Sequence, residues 1–168
     1  MVRVDIESII MASGPVPSVV VLRERKSGGS SEAPLRALSI QTGSYEAASI
    51  GHGSDLSART PRPITHDLLL QTVKRLGAKV ERVEINRWDA PVFFANVVLE
   101  QMGCGEVTLD ARPSDALALA TRANAPIYVE DDVMNRAGSI SFQTEKPGDT
   151  AELEQFDQFV QTLSPDDF

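Results

Sequence analysis

Cysteine and histidine are scarce in this chain, and their scarcity excludes several kinds of site. The single cysteine, Cys104, rules out a disulfide framework within the chain and suits a reducing cytoplasm. Only two histidines are present, His52 and His66, and neither is close to the cysteine in sequence, so a structural zinc site is not expected. We therefore expect a cytoplasmic protein without a disulfide or zinc scaffold.

Long apolar runs are also missing. No run is long enough to span a bilayer, and the N-terminus lacks the basic-then-apolar pattern of a secretory signal, so we expect no membrane partner. The chain has no P-loop, no dinucleotide-binding glycine fingerprint and no Gly-x-Ser-x-Gly elbow. Its 168 residues, of which 42% are apolar, suit one domain with its own core.

Aromatic residues make up only 5% of the chain. Trp88, Phe93 and Phe94 fall on predicted strands. They are expected to serve the core rather than to form a platform on which bases stack.

The chain lacks an excess of basic charge. Its net charge is -8, of which residues 145–168 carry -6 and residues 1–144 carry -2. Nucleic-acid-binding proteins usually present a basic surface, because phosphate contacts dominate affinity. Any contact with DNA or RNA therefore has to use a local patch. Residues 143–168 are predicted to be an acidic tail with an amphipathic helix over about 150–163, which either solubilises the chain or binds a protein partner.

The order of strand-like and helix-like segments predicts an α+β fold, with a largely antiparallel or mixed sheet and helices packed on it. The apolar residues switch from even to odd positions between Val80 and Val83, which indicates a bulge in that strand. Gly51 is expected to end a short helix. Strands are predicted over 2–10, 18–24, 35–40, 80–88, 92–99, 106–111, 127–129 and 139–142, and helices over 45–50, 65–76, 114–123 and 131–137.

Two separate stretches share one pattern, in which arginine and proline are followed by a hydroxyl residue, an aspartate and an apolar helix. They are residues 62–67, Arg-Pro-Ile-Thr-His-Asp, and residues 112–115, Arg-Pro-Ser-Asp. Thr65 and Ser114 are the predicted N-caps, because the prolines force an extended entry. The unpaired N–H groups and the positive dipole end at a helix start favour anions. If the two starts meet, they form a polar site with arginines and carboxylates.

These motifs resemble those of the bifunctional nuclease domain family. The segment Arg-Pro-Ile-Thr-His-Asp-Leu-Leu at 62–69 is followed by Arg-Pro-Ser-Asp-Ala-Leu-Ala-Leu-Ala at 112–120 and by Ala-Pro-Ile-Tyr-Val at 125–129. The resemblance covers residues 1–142, and the closing Ser-Pro-Asp-Asp-Phe resembles the tail of some bacterial members. Relatives commonly carry Leu-Pro-Ile-Trp-Ile-Gly where this chain has Leu-Ser-Ile-Gln-Thr-Gly at 38–43. The resemblance implies a DNase/RNase that hydrolyses phosphodiester bonds.

Within that interpretation, His66, Asp67 and Asp115 are the candidate catalytic residues. Asp67 and Asp115, joined by Glu46, are candidate ligands for Mg²⁺ or Mn²⁺, since hard ions prefer carboxylate oxygen. His66 is the candidate general base, because the dipole at a helix start disfavours the imidazolium form.

Arginine binds phosphate through paired N–H groups, so the two motifs also supply the predicted phosphate-binding residues, which are Arg62, Thr65, Arg112 and Ser114. A simpler alternative exists for each role. An aspartate in a first turn stabilises its helix, and each arginine could pair with an acid of the other motif. The alternative function is therefore a non-catalytic regulatory or scaffolding module that binds an anion or a protein partner, and a purely structural homo-oligomer is the third option.

Overall fold

The computed structural model describes residues 1–13, 15–25, 35–54 and 62–140, and the predicted tail helix lies outside these ranges. The described residues form a mixed sheet and four helices, which confirms the predicted α+β class. The strands are β1 (Val2–Ile10), β2 (Ser18–Glu24), β3 (Arg36–Thr42), β4 (Ala78–Asp89), β5 (Val92–Gln101), β6 (Gly105–Ala111), β7 (Ile127–Val129) and β8 (Ser139–Ile140). The helices are α1 (Ser44–Ser54), α2 (Thr65–Arg75), α3 (Pro113–Ala123) and α4 (Asp131–Ala137).

The sheet consists of two antiparallel groups joined through one short strand. Its strand order is β6-β5-β4-β7-β1-β2-β3-β8. The three residues of β7 pair in parallel with β4 on one side and antiparallel with β1 on the other. The two groups are each built mainly from hairpin neighbours in sequence, whereas β7 comes from the far end of the domain.

One face of the sheet carries the apolar core. Val20 and Leu22 of β2 lie opposite Ile40 and Leu38 of β3, and all four side chains are buried. Successive residues of a strand point to opposite faces, so this alternation directs one face inward. The helices cover that core, with α1 against β1 and β2 and α3 against α1, β4 and β5. In helix α3, Ser114 and all residues from Ala116 to Ala120 are buried, as its nearly continuous apolar sequence predicts.

The long β4–β5 hairpin contains the bulge that the sequence indicates. Its register shifts between Val80 and Arg82 and again between Ile85 and Arg87, so two extra residues are accommodated along β4. The turn at the end of this hairpin contains a cis peptide bond between Ala90 and Pro91.

The prediction that Gly51 ends the first helix is wrong. Helix α1 continues through Gly51, His52 and Gly53 to Ser54, because it packs closely against α3 over this last turn. Tertiary packing here outweighs the low helix propensity of two glycines. None of the described helices is long and apolar enough to cross a membrane.

Candidate functional site

The starts of α2 and α3 differ from the predicted caps. The N-cap of α2 is Ile64 and that of α3 is Arg112, so Thr65 and Ser114 lie inside the first turns and cap neither helix. In α3, Pro113 takes the first helical position, which suits its missing N–H group. In α2, Asp67 takes over the capping role, because its Oδ2 accepts a hydrogen bond from the Ile64 backbone N–H at 3.1 Å.

The two helix starts meet through His66 and Asp115. The Nε2 atom of His66 lies 3.2 Å from Oδ1 of Asp115, although 49 residues separate them in sequence. On its other side, Nδ1 of His66 lies 2.9 Å from the hydroxyl of Ser49 in α1. Three helices therefore contribute to one polar cluster.

Arg112 closes the exposed side of this cluster. Its Nε and Nη2 atoms donate to both oxygens of Asp115, at 2.7 and 3.0 Å, and its Nη1 donates to Oε1 of Glu46 at 3.3 Å. The Arg112 side chain is nevertheless 65% exposed. Its hydrogen bonds hold the pKa of Asp115 below the usual range against the effect of partial burial, and the bond from His66 acts in the same direction.

Arg122 closes the buried side and is a residue that the sequence analysis missed. Its Nε donates to Oδ1 of Asp67 at 2.7 Å, its Nη1 to the backbone oxygens of Ser49 and Ala118 at 2.8 Å, and its Nη2 to the Ser49 hydroxyl at 3.2 Å. Only 6% of the Arg122 side chain is exposed. An arginine in a nearly all-apolar helix is a signal that a buried partner is needed, but the sequence does not show which residue that partner is.

Asp67 is held in its ionised form by this arrangement. Burial alone raises the pKa of Asp67, but the hydrogen bonds from Arg122 and from the Ile64 backbone N–H outweigh burial and keep the pKa below its usual value. Asp67 therefore stabilises the start of α2 and ties it to the end of α3.

The hydrogen bonds allow a neutral His66 whose ring proton is on Nε2. The Ser49 hydroxyl accepts from Arg122, so its own hydrogen is free to be donated to Nδ1 of His66. Nε2 then carries the ring proton and donates it to ionised Asp115. The order serine–histidine–aspartate resembles a hydrolase triad, but Ser49 is only 8% exposed and is shared with Arg122, so it serves as a support for His66 rather than as a nucleophile.

As arranged, the predicted metal ligands do not fit a divalent ion. Asp115 and Glu46 both bind Arg112, and Asp67 binds Arg122. Among the described residues, no three His, Cys, Asp or Glu side chains are grouped so that they could hold a metal. The arginines already neutralise the carboxylates that Mg²⁺ or Mn²⁺ would need.

The remaining predicted phosphate-binding residues occupy different environments. Arg62 and Thr65 are exposed at the entry to α2, whereas Ser114 is buried beneath Arg112 at the start of α3. Arg112 lies in the polar cluster, where several hydrogen bonds fix its position.

A groove with a volume of about 590 Å³ begins beside Arg112 and Glu46. Its other walls are residues 39–43 at the end of β3 and the β4–β5 hairpin, which contributes Trp88 and Phe93. These two aromatic residues are a cross-strand pair with ring centroids 6.0 Å apart. They pack against the core, as expected, but they are only partly buried and also line this groove.

Comparison with known proteins places the whole arrangement in a family. The family model of the bifunctional nuclease domain, which is a sequence model, matches residues 20–141. This range includes both arginine-proline motifs, α1 and the residues of the groove. An uncharacterized protein of Mycobacterium tuberculosis strain H37Rv is 36% identical over 138 residues, covering 79% of this chain and 81% of that protein.

Plant nucleases are more distant relatives. Bifunctional nuclease 1 of Oryza sativa subsp. japonica is 28% identical over 111 residues, covering 65% of this chain and 33% of the rice protein. Bifunctional nuclease 1 of Arabidopsis thaliana is 31% identical over 70 residues, covering 40% of this chain and 22% of that protein. Since the family model spans most of its length, the chain belongs to the bifunctional nuclease domain family.

Proposed function

We propose that this protein binds a nucleic-acid strand at the start of α3 and hydrolyses its phosphodiester bonds there. The observation that carries the proposal is the position of Arg112, whose exposed guanidinium lies directly beside the His66–Asp115 pair. Membership of a nuclease family and the rice and Arabidopsis relatives named as nucleases support the same reaction.

Arg112 can bind a phosphate without leaving its present partners. A guanidinium group carries five N–H donors. Asp115 and Glu46 use three of them, which leaves two, one on each Nη atom, for an incoming phosphate. N–H donors placed in this way stabilise, by hydrogen bonding, the negative charge that develops on the phosphoryl oxygens during hydrolysis.

His66 and Asp115 are the candidates for proton transfer to or from water. Asp115 is ionised at neutral pH, its bonds to Arg112 and His66 hold its pKa below the ordinary value, and Ser49 contacts the other side of the imidazole ring. For His66 to accept a proton at Nε2, the ring must adopt the other tautomer and donate from Nδ1 to Ser49. That change requires Asp115 to release the ring.

The proposal is tested by a cleavage assay on highly purified protein with labelled single-stranded DNA and RNA. The wild type is compared with the Asp115→Asn variant. The control is Asp110→Asn, which changes an exposed aspartate on β6, the strand that precedes α3. Each protein is assayed in EDTA, in Mg²⁺ and in Mn²⁺, so that the ion requirement is read directly.

We expect Asp115→Asn to lower the cleavage rate about 100-fold or more, since loss of a positioned acid–base group has that effect. Asp110→Asn should match the wild type. Equal rates in all three preparations would point to a contaminating nuclease and would overturn the proposal.

A non-catalytic module is the second candidate, and one observation favours it. Arg112 binds Asp115 and Glu46, and Arg122 binds Asp67, so carboxylates from three helices are already engaged in holding these helices together. In that case an oligonucleotide or inorganic phosphate would raise the melting temperature of the protein without being cleaved. Ligand-induced stabilisation with no turnover would therefore favour the module over the nuclease.

A further inference from the structure

We infer that the groove beside Arg112 is a binding site for an unpaired nucleobase, so that the protein takes single-stranded rather than duplex nucleic acid. This inference rests on the proposed nucleic-acid substrate and adds the part of the strand that is recognised. The argument combines the shape of the groove, its aromatic wall and the position of its cations.

The groove has the size and composition of a small-ligand site. Its volume of about 590 Å³ lies within the range of about 300–1,000 Å³ that is typical of such sites. Trp88 and Phe93 provide an aromatic surface, and β3 contributes the polar residues Ser39, Gln41 and Thr42. Bases stack on aromatic rings through their faces and form hydrogen bonds through their edges, so this combination suits a base.

A planar guanidinium group already lies over the ring of Trp88. The guanidinium of Arg136, in α4, lies over the Trp88 ring at 5.3 Å from its centroid, and the Arg136 side chain is 53% exposed. The ring face of Trp88 is therefore reachable from solvent by a flat, partly hydrated group.

The cation at the mouth of the groove sets the direction of the strand. Arg112 lines the groove and has two N–H donors left for a phosphate. A phosphate held there places the attached sugar at the groove entrance and its base toward Trp88 and Phe93. In a duplex the base is stacked and paired, so it could not turn into the groove without the strand being opened.

The chain contains a single tryptophan, which makes the test direct, because intrinsic tryptophan fluorescence reports on Trp88 alone. The full-length protein is titrated with an eight-residue thymidine strand, with an abasic strand of the same length and phosphate number, and with a blunt duplex. We expect saturable quenching of Trp88 by the thymidine strand and little quenching by the abasic strand or the duplex.

Two neighbouring phenylalanines give a matched pair of variants. Phe93 lines the groove, whereas Phe94 follows it on the strand and contacts Arg87 instead. Phe93→Leu should weaken binding of the thymidine strand about tenfold or more, in line with the contribution of base stacking. Phe94→Leu should bind within about twofold of the wild type.

The outcomes separate this inference from the proposed nuclease activity. Quenching and binding without cleavage would leave the base site in place and overturn the nuclease. Cleavage without quenching, equal binding of thymidine and abasic strands, or no binding at all would overturn the base site. Quenching that follows protein concentration alone, with a dimer seen by sedimentation, would also overturn it and assign the groove to a second copy of the chain.

Discussion

Arg122 makes four hydrogen bonds on the buried side of the polar cluster. Replacing it with alanine removes the partner of Asp67 and one donor each from the backbone oxygens of Ser49 and Ala118. We expect Arg122→Ala to lower the free energy of unfolding by about 2–3 kcal/mol, since a buried ion pair that loses one partner is strongly destabilising and Asp67 keeps some contact with water.

Urea unfolding followed by circular dichroism measures this loss. The matched control is Arg87→Ala, because Arg87 is 58% exposed and its pairing with Asp89 is open to solvent. That variant should lose less than about 1 kcal/mol. An Arg122→Ala protein as stable as the control would show that the cluster contributes little to folding.

Because Asp115 has a shifted pKa in the folded protein, the free energy of unfolding changes with pH in the acid range. Its pKa in the folded state is below the ordinary 3.8, so ionised Asp115 stabilises the fold at every pH above that value. The stabilisation is lost as the pH falls through the lower folded-state pKa. The amide introduced by Asp115→Asn cannot ionise, and we expect the difference in unfolding free energy between wild type and this variant to narrow as the pH is lowered from neutral to below the ordinary carboxyl pKa of 3.8.

Denaturant titrations at several pH values provide the measurement. Curves that stay parallel over the whole interval would contradict the role assigned to Arg112 and His66 in holding the Asp115 carboxylate.

For single residues of the polar cluster, the sequence predicts the aspartates better than the residues that bind them. The shared motif identifies Asp67 and Asp115 as first-turn acids, because the features of a helix start are local, whereas the meeting of the two starts arises from contacts between α2 and α3. It does not identify Arg122 or Ser49, since neither follows a motif and their roles arise only when α1 packs against α3. The predicted N-cap of α3 fails for a local reason, which is that proline occupies the first helical position.

Among the helices, the close approach of α1 and α3 explains why a glycine lies in the last turn of α1. A Cβ atom built on Gly53 would lie 2.1 Å from Oγ1 of Thr121 and 3.0 Å from Nη1 of Arg122. A Cβ atom on Gly51 would meet only Cδ1 of Ile9, at an ordinary 3.9 Å. The two glycines lie two residues apart in one helix and so provide a comparison with the same helix propensity.

We expect Gly53→Ala to lower the free energy of unfolding by about 1–3 kcal/mol through overpacking, despite the better helix propensity of alanine. Gly51→Ala should leave stability unchanged or raise it by up to about 1 kcal/mol. Thermal and urea unfolding of both variants decide the matter, and a stabilised Gly53→Ala protein would show that α1 and α3 pack less tightly than the structure indicates.

At the scale of the whole molecule, the acidic C-terminal residues supply most of the net negative charge. Residues 145–168 carry -6 of the total -8, so their removal leaves a domain with a net charge of -2. We expect a protein ending at residue 144 to bind oligonucleotides more tightly at low salt, because less negative charge repels the phosphates. Titrations at low and at physiological salt measure this effect, and unchanged binding at low salt would exclude it.

The fold class was predictable as a whole, whereas the arrangement of the strands was not. Alternation of apolar residues locates the strands of both antiparallel groups, and hairpin neighbours in sequence pair in space. The three-residue segment 127–129 gives no sign of lying between β4 and β1, because strand order is fixed by contacts between distant parts of the chain. The groove beside Arg112 is hidden from the sequence for the same reason, since β3, the β4–β5 hairpin and α3 all contribute to it.

The central position of β7 has a consequence for how the protein is synthesised. A ribosome releases the main strands of both antiparallel groups before residues 127–129 emerge. Until then the inner borders of β4 and β1 carry backbone N–H and C=O groups that await a strand. Completion of the domain on the ribosome is therefore a late event, and a nascent chain halted before residue 127 would be prone to bind chaperones or other unfinished chains along these two borders.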